Sequence, residues 1–523
     1  MGPALRTPIL KKIPMSTSFQ AVSDADRRLL DLVSPPDWTN PTPRERYDLA
    51  VVGGGTGGLV SAAIGAALGA RVALVERALM GGDCLNYGCV PSKAVLRAAR
   101  SWAEARESAD RFAGPAVAGE GSFAAALERM RTLRADIGHV DGAARFRDLG
   151  VDVYFGDASF VAEDALEVAG ARLTFRRAIL ATGARAAVPP IPGLAEAGFL
   201  TNENVFSLRE RPDHLLVLGA GAIGCELAQA FARFGSRVTL LEMEDRPIPR
   251  EEPGASEVLL RALERDGVDF LGGARVTRVE SGPAGKVVTW EPAGADGSAP
   301  RTVAGDALLV AVGRQANLDV GLEEAGVRVH ARGVEVDDRL RTSNRRIYAV
   351  GDVATPYQFT HVADAHARLA VRNALFFGRG KVSDLIIPAA TYTSPEVARV
   401  GPTVAELRAG GEEVETLTVS FDDVDRARLD GEDQGFLSVH LRAGSDTILG
   451  ATLVWAHAGD VISQLTQAMH LEVGLEKLGD LIYPYPTTAE AIRKAADQYR
   501  RRRLTPRAKG FFRRFFQVSR LLP

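Results

Sequence analysis

Apolar runs and glycine clusters alternate along this chain in a repeating order. Tyr47-Asp48-Leu49-Ala50-Val51-Val52 is apolar at all but one position, which predicts a strand buried on both faces. It runs into Gly53-Gly54-Gly55-Thr56-Gly57-Gly58, and a helix of small residues is expected from there to Leu68. Arg71-Val72-Ala73-Leu74-Val75-Glu76 predicts the next strand. The unit then recurs. His214-Leu215-Leu216-Val217-Leu218 leads into Gly219-Ala220-Gly221-Ala222-Ile223-Gly224, a helix, and Arg237-Val238-Thr239-Leu240-Leu241-Glu242. Gly53 to Glu76 and Gly219 to Glu242 both span 23 positions, the mark of an internal duplication. Each copy has a later strand closing on glycine, at Ile179–Gly183 and Leu308–Gly313. Beyond about residue 387, alternation as in Gly435-Phe436-Leu437-Ser438-Val439-His440 predicts an α+β domain.

The expected fold class is therefore α/β, with two doubly wound, Rossmann-like units followed by an α+β domain. Residues 1–45, rich in Pro, Ser and charge, read as a leader arm, and Met15 is a candidate start. The first nucleotide-binding segment spans 46–190, the second 191–317, and 318–386 returns to the first. The α+β domain takes 387–498, and 499–523 forms a basic amphipathic tail.

Among 523 residues the net charge is −3, which argues against nucleic-acid binding, and only three cysteines occur. So few cysteines fit a reducing, cytoplasmic setting, where a close pair is redox-active or metal-binding rather than a structural staple. The N-terminus lacks the continuous apolar core of a secretory signal, and no apolar run reaches about 18 residues, the length a membrane span needs.

A lone glycine fingerprint is weak, but here each follows a strand, opens a helix and precedes an acid at the expected distance. Gly53, Gly55 and Gly58, and Gly219, Gly221 and Gly224, let backbone approach a pyrophosphate that the helix N-terminus stabilises. Glu76 and Glu242 would bind ribose hydroxyls. Cys84 and Cys89 lie in Gly81-Gly82-Asp83-Cys84-Leu85-Asn86-Tyr87-Gly88-Cys89-Val90-Pro91-Ser92-Lys93. Pro91 suits a first helical position, and a helix N-terminus favours thiolate. Two dinucleotide sites beside such a pair imply a relay from nicotinamide through flavin to disulfide. The cysteines follow the first unit, so that unit should hold FAD and the second NAD(P)H. Glu242 would repel a 2′-phosphate, which favours NADH over NADPH, although Arg246 lies nearby. Cys225, on the helix after the second fingerprint, is expected to be buried and structural.

The chain resembles the class I pyridine nucleotide–disulfide oxidoreductases, in particular the branch of mercuric reductases, with dihydrolipoyl dehydrogenases as relatives. The resemblance covers about residues 46 to 497. The 81–93 motif, both fingerprints, Tyr348-Ala349-Val350-Gly351-Asp352 and Tyr392-Thr393-Ser394-Pro395-Glu396-Val397-Ala398-Arg399-Val400-Gly401 carry it. It implies an FAD enzyme whose α+β domain forms a homodimer. It also implies that Gly183 and Asp352 help hold FAD and Gly313 the nicotinamide nucleotide. Cys89 becomes the thiolate against the flavin, Cys84 the thiol that exchanges with substrate, and Lys93 and Glu226 a pair at the flavin's reactive edge.

The departures direct the substrate reading. Disulfide-reducing members have a His-Pro-Thr motif closed by a Glu, and here the segment is Tyr485-Pro486-Thr487-Thr488-Ala489-Glu490. A phenol with pKa about 10 is a poor acid–base near neutrality, whereas a soft metal ion needs thiolates rather than imidazole. Tyr485 and Glu490 join the candidate catalytic set, and Cys84 and Cys89 become transient ligands of Hg(II). The C-terminal cysteine pair of mercuric reductases is missing. A dihydrolipoyl-dehydrogenase-like or other disulfide reductase is the second reading, so the acceptor is a metal ion or a small disulfide. Residues 500–523 hold nine Lys or Arg and no acid, with Phe511, Phe512, Phe515, Phe516 and Val518 at helical spacing. That suggests peripheral contact with the inner face of the membrane, and a third reading as a membrane-associated, redox-sensing flavoprotein.

Overall fold

The computed structural model describes residues 19–283, 285–294, 299–376 and 378–520. Its first sheet has strand order Asp152–Phe155, Val72–Glu76, Tyr47–Val52, Ala171–Leu180, then Ala165–Val168 and Ala158–Ala162, with Ile347–Ala349 also pairing on Ala171–Leu180. The first four of these strands and Ile347–Ala349 pair in parallel, while the last two form an antiparallel meander. Residues 47 and 49–52 of the central strand are fully or almost fully buried, as a strand covered on both faces requires. Its register sets Val52 beside Val75 and Leu180, so three strand ends finish together under the glycine turn.

The second sheet repeats this in four parallel strands, ordered Val268–Leu271, Arg237–Leu241, His214–Leu218 and Ala307–Val310. A three-stranded antiparallel sheet, Ala274–Gly282, Gly285–Pro292 and Arg301–Gly305, flanks it. A further sheet is antiparallel with five strands, and helices Ala458–His470 and Glu490–Arg503 bury Ile462, Leu465, Ile492 and Ala495 in its core.

The leader reading needs correction from Phe19 onward; residues 1–18 lie outside the described residues. Asp24–Val33 is a helix capped by the Ser23 side chain, with Leu29 and Val33 fully buried. Asp26, in its first turn, pairs with Arg134 at 2.6 Å. Downstream, Asn40 Nδ2 donates to the Phe155 carbonyl at 2.9 Å and Asn40 Oδ1 accepts its N–H at 2.8 Å. Asp152–Phe155 is an edge strand, and an uncovered edge invites pairing with other chains. Composition suggested a free arm, but the segment covers that edge.

Candidate active site

Both glycine turns fold as the duplication predicts. In the first, the Gly54 N–H donates to Glu76 Oε2 at 2.6 Å and the Ala78 N–H to Oε1 at 2.7 Å. In the second, the Ala220 N–H donates to Glu242 Oε2 at 2.6 Å and the Glu244 N–H to Oε1 at 3.1 Å. Each carboxylate thus braces its own turn and keeps lone pairs for a ribose. A Cβ on Gly58 would fall 1.8 Å from the Gly53 carbonyl oxygen, and one on Gly224 would fall 1.9 Å from that of Gly219. Helix and strand therefore meet at a distance only glycine permits, and helices Thr56–Ala67 and Ala222–Arg233 start right at the turns.

A cavity of about 2020 Å³ runs between the turns. A small-ligand pocket usually holds about 300–1000 Å³, so this one accommodates two dinucleotides. Gly53, Gly55, Glu76, Gly183 and Asp352 line one end, and Gly219, Gly221, Glu242 and Gly313 the other. Cys84, Cys89, Lys93 and Glu226 line it as well.

Cys84 sits in a short helix, Gly82–Asn86, and Cys89 is the first residue of the helix Cys89–Phe112. Pro91 falls third in that helix rather than first, still within the turn whose N–H groups lack intrahelical acceptors. Both cysteines are free thiols. Cys84 beside it, the Thr360 hydroxyl at 3.3 Å and the Lys93 charge together outweigh burial and lower the Cys89 pKa to about 6. The same proximity to Cys89, with burial, pushes the Cys84 thiol well up. At neutral pH the pair is one thiolate and one thiol.

Lys93 Nζ lies 2.8 Å from Glu226 Oε2 and 4.5 Å above the Tyr392 ring, while the Tyr392 N–H donates to Glu226 Oε1 at 2.8 Å. Lys93 follows the cysteines and Glu226 belongs to the second unit's helix, so the pair joins the two units. Arg314 makes another joint. Its guanidinium lies 3.4 Å from Asp83, next to Cys84, and 3.4 Å from Asp352, and donates to the Ala184 carbonyl at 2.7 Å. Burial pushes the Asp352 carboxyl up against the pull of Arg314. Cys225 is fully buried, its thiol on the Ala220 carbonyl at 3.2 Å and its pKa pushed up by burial.

Tyr485 and Glu490 do not join this site within one chain. The Tyr485 side chain is exposed and its hydroxyl donates to Asp425 at 2.9 Å, which raises the phenol pKa. It has no bond to Glu490, which is buried and accepts from Arg493 at 2.8 Å. Tyr485 thus stands on the surface of the α+β unit, while Thr488 and Glu490 of the same motif are buried in it. Sequence reasoning missed Thr360, Tyr392 and Arg314. Arg314 had a signal, a cation directly after Gly313; Thr360 had none. Among the described residues no group of three or more His, Cys, Asp or Glu is placed to hold a metal ion.

The family model described as "Pyridine nucleotide-disulphide oxidoreductase" matches residues 47–367, and that of the family's dimerisation domain matches 387–496. The mercuric reductase of Bacillus cereus is 36% identical over 452 residues, covering 86% of this chain and 71% of that protein. The dihydrolipoyl dehydrogenase of Bacillus subtilis (strain 168) is 31% identical over 470 residues, covering 86% of this chain and 97% of that protein. Among solved structures, the HOCl-induced flavoprotein disulfide reductase of Escherichia coli aligns with TM-score 0.75 at 29% identity, covering 86% of this chain and 99% of that one.

Proposed function

This chain belongs to the pyridine nucleotide–disulphide oxidoreductase family, and from that premise we propose that it passes electrons from NADH to Hg(II) at the Cys84–Cys89 pair. The family is FAD-dependent and uses NAD(P)H. The first turn, with Gly53, Gly55, Gly58, Glu76, Gly183 and Asp352, suits FAD: a Cβ on Gly53 or Gly58 would strike the Ala181 or Gly53 carbonyl oxygen, so glycine there lets helix and strand meet under a pyrophosphate. When bound, FAD accepts a hydride from the nicotinamide and passes its electron pair to the disulfide.

The observation that carries the reading is the asymmetry of the two thiols. Opening the disulfide with a hydride equivalent leaves Cys89 as thiolate and Cys84 as thiol, so the hydride's own proton ends on Cys84. Cys89 is held in that state by Thr360 and by the Lys93 charge that Glu226 anchors. Cys84 then loses its proton to bind a soft ion together with Cys89. The two Hg–S bonds then break as the Cys84–Cys89 bond re-forms, which leaves two electrons on the metal, so that overall one NADH and one Hg(II) give NAD⁺, one proton and elemental mercury.

Two further features support the finer assignments. Glu242, Glu244 and Asp245 line the second end of the cavity; Arg246 lines it too, but its guanidinium is engaged with the Pro249 carbonyl at 3.0 Å, so acids meet the adenosine ribose and NADH is preferred. Tyr485 has its pKa raised rather than lowered, which suits an acceptor that needs no proton shuttle. The dimerisation-domain match supports a homodimer. Tyr485, 71% exposed, and Ile482, 98% exposed, stand on that unit and suit contact with a second copy.

An anaerobic NADH titration followed by an acceptor screen tests the reading. Reduction should produce a long-wavelength thiolate–flavin band that Cys89→Ser lacks, and Hg(II) should be the best acceptor. The dihydrolipoyl dehydrogenase relative sustains a second reading, a disulfide reductase. Robust turnover of lipoamide with Tyr485 intact would overturn the mercury assignment in its favour.

A further inference from the structure

We propose that the last helix docks the enzyme on the surface of an anionic phospholipid bilayer. This goes beyond the reductase reading and does not depend on which acceptor is reduced. Helix Glu490–Arg503 ends at Leu504, and Thr505 caps a new helix, Pro506–Ser519, by accepting the Ala508 N–H at 3.2 Å. The two helices have opposite relations to the protein body. Arg500 donates to the Glu476 carbonyl at 2.8 Å, Arg502 pairs with Glu415, and Arg503 pairs with Glu476 at 2.7 Å. The root of the tail is therefore clamped. In the last helix no residue is buried, and Arg507, Lys509, Arg513, Arg514 and Arg520 have no ion pair among the described residues.

Its apolar face is equally uncovered. Phe511, Phe512, Phe515, Phe516 and Val518 are 45–66% exposed. At 3.6 residues per turn these five fall in an arc of about 160°, with Arg507 beyond one border and Lys509 beyond the other. A second copy of the helix is a poor cover, because it would bring like-charged borders together and the helix carries no acid to relieve them. An anionic lipid surface satisfies both parts at once. The phenylalanines enter the boundary between headgroups and acyl chains, and the bordering cations meet lipid phosphates. A homodimer presents two such helices, so the second docks at high effective concentration once the first has bound.

The test uses the full-length FAD enzyme in co-sedimentation with vesicles of phosphatidylglycerol and phosphatidylcholine, against vesicles of phosphatidylcholine alone. Binding is expected to the anionic vesicles and to weaken with salt. The F511S/F515S variant should lose at least about tenfold in partition, from lost apolar burial. R513Q/R514Q should lose roughly twenty-fivefold, about fivefold for each neutralised cation. NADH-dependent turnover in solution should be unchanged in both, which shows that they fold. The proposal is overturned if wild type stays in the supernatant at low salt or if the variants partition like wild type. It is also overturned if F511S/F515S changes only the oligomeric state in sedimentation, or if the enzyme binds duplex DNA instead of vesicles.

Discussion

The two nucleotide units share one turn and differ in what surrounds it. Their bracing hydrogen bonds are the same length, 2.6 Å from turn amide to carboxylate, and their helices approach with equal closeness. Around the first, Glu76 is only 8% exposed, helix Thr360–Leu375 packs on helix Thr56–Ala67, and Asp24–Val33 adds another layer. Around the second, the matching acid, Glu242, is half-buried, and Met243, Glu244 and Asp245 after it are exposed, as Arg77 and Ala78 are after Glu76. The turn selects the class of ligand, and the enclosure selects how long it stays. On the proposed assignment, the first site holds a resident cofactor and the second a nucleotide that leaves after each turnover.

Equal clashes should therefore have unequal consequences, and this is the largest expected effect. Gly58→Val should yield protein without bound flavin and without activity, whereas Gly224→Val should keep its flavin spectrum and lose reduction by NADH. Loss of flavin from Gly224→Val as well would break the comparison. The cysteines sharpen it next. Cys89→Ser should lower turnover on the order of a thousandfold or more, while Cys225→Ala, on the helix that opens the second unit, should stay within about twofold in steady-state assays. At the acids, Glu242→Gln should raise the KM for NADH about tenfold, the worth of a charge-assisted hydrogen bond, and improve use of NADPH relative to NADH. Glu76→Gln should show its effect in flavin retained after dialysis.

The smallest effect concerns pH. A lowered thiol pKa means that the thiolate exists above it and is lost below it. The long-wavelength band of the reduced enzyme should fade as pH falls through about 6. Thr360→Ala removes a hydrogen bond that favours the thiolate, so the midpoint should rise by about half a unit. An unmoved midpoint would mean that Lys93 and Cys84 suffice.

Most of the fold was legible because its signals are local. Strand, glycine turn, helix and acid lie within 23 positions of each other, and both cysteines lie inside one motif. The parts of the site that were not legible are joined across long separations. Thr360 reaches Cys89 over 271 positions and Tyr392 reaches Glu226 over 166, so no short pattern marks them. The segment from Phe19 to Glu45 misled for another reason. Its average composition is that of an arm, yet Ser23 followed by Leu29 and Val33 is a capped helix with one apolar face. Tyr485 stands out in the sequence as a departure, but a linear motif does not say which chain it serves.

Arg314 has a consequence for how this sequence can drift. One buried cation holds two carboxylates from distant segments, Asp83 and Asp352. A lineage that replaces Asp83 still leaves Arg314 a partner, and the converse loss leaves it Asp83. Replacing Arg314 first removes the shared cation from both acids, leaving Asp83 its bond from the Asn202 amide at 2.9 Å, and each acid then raises the proton affinity of the other. The order of mutation matters: the acids are negotiable one at a time, while the arginine is the step from which neutral change turns back.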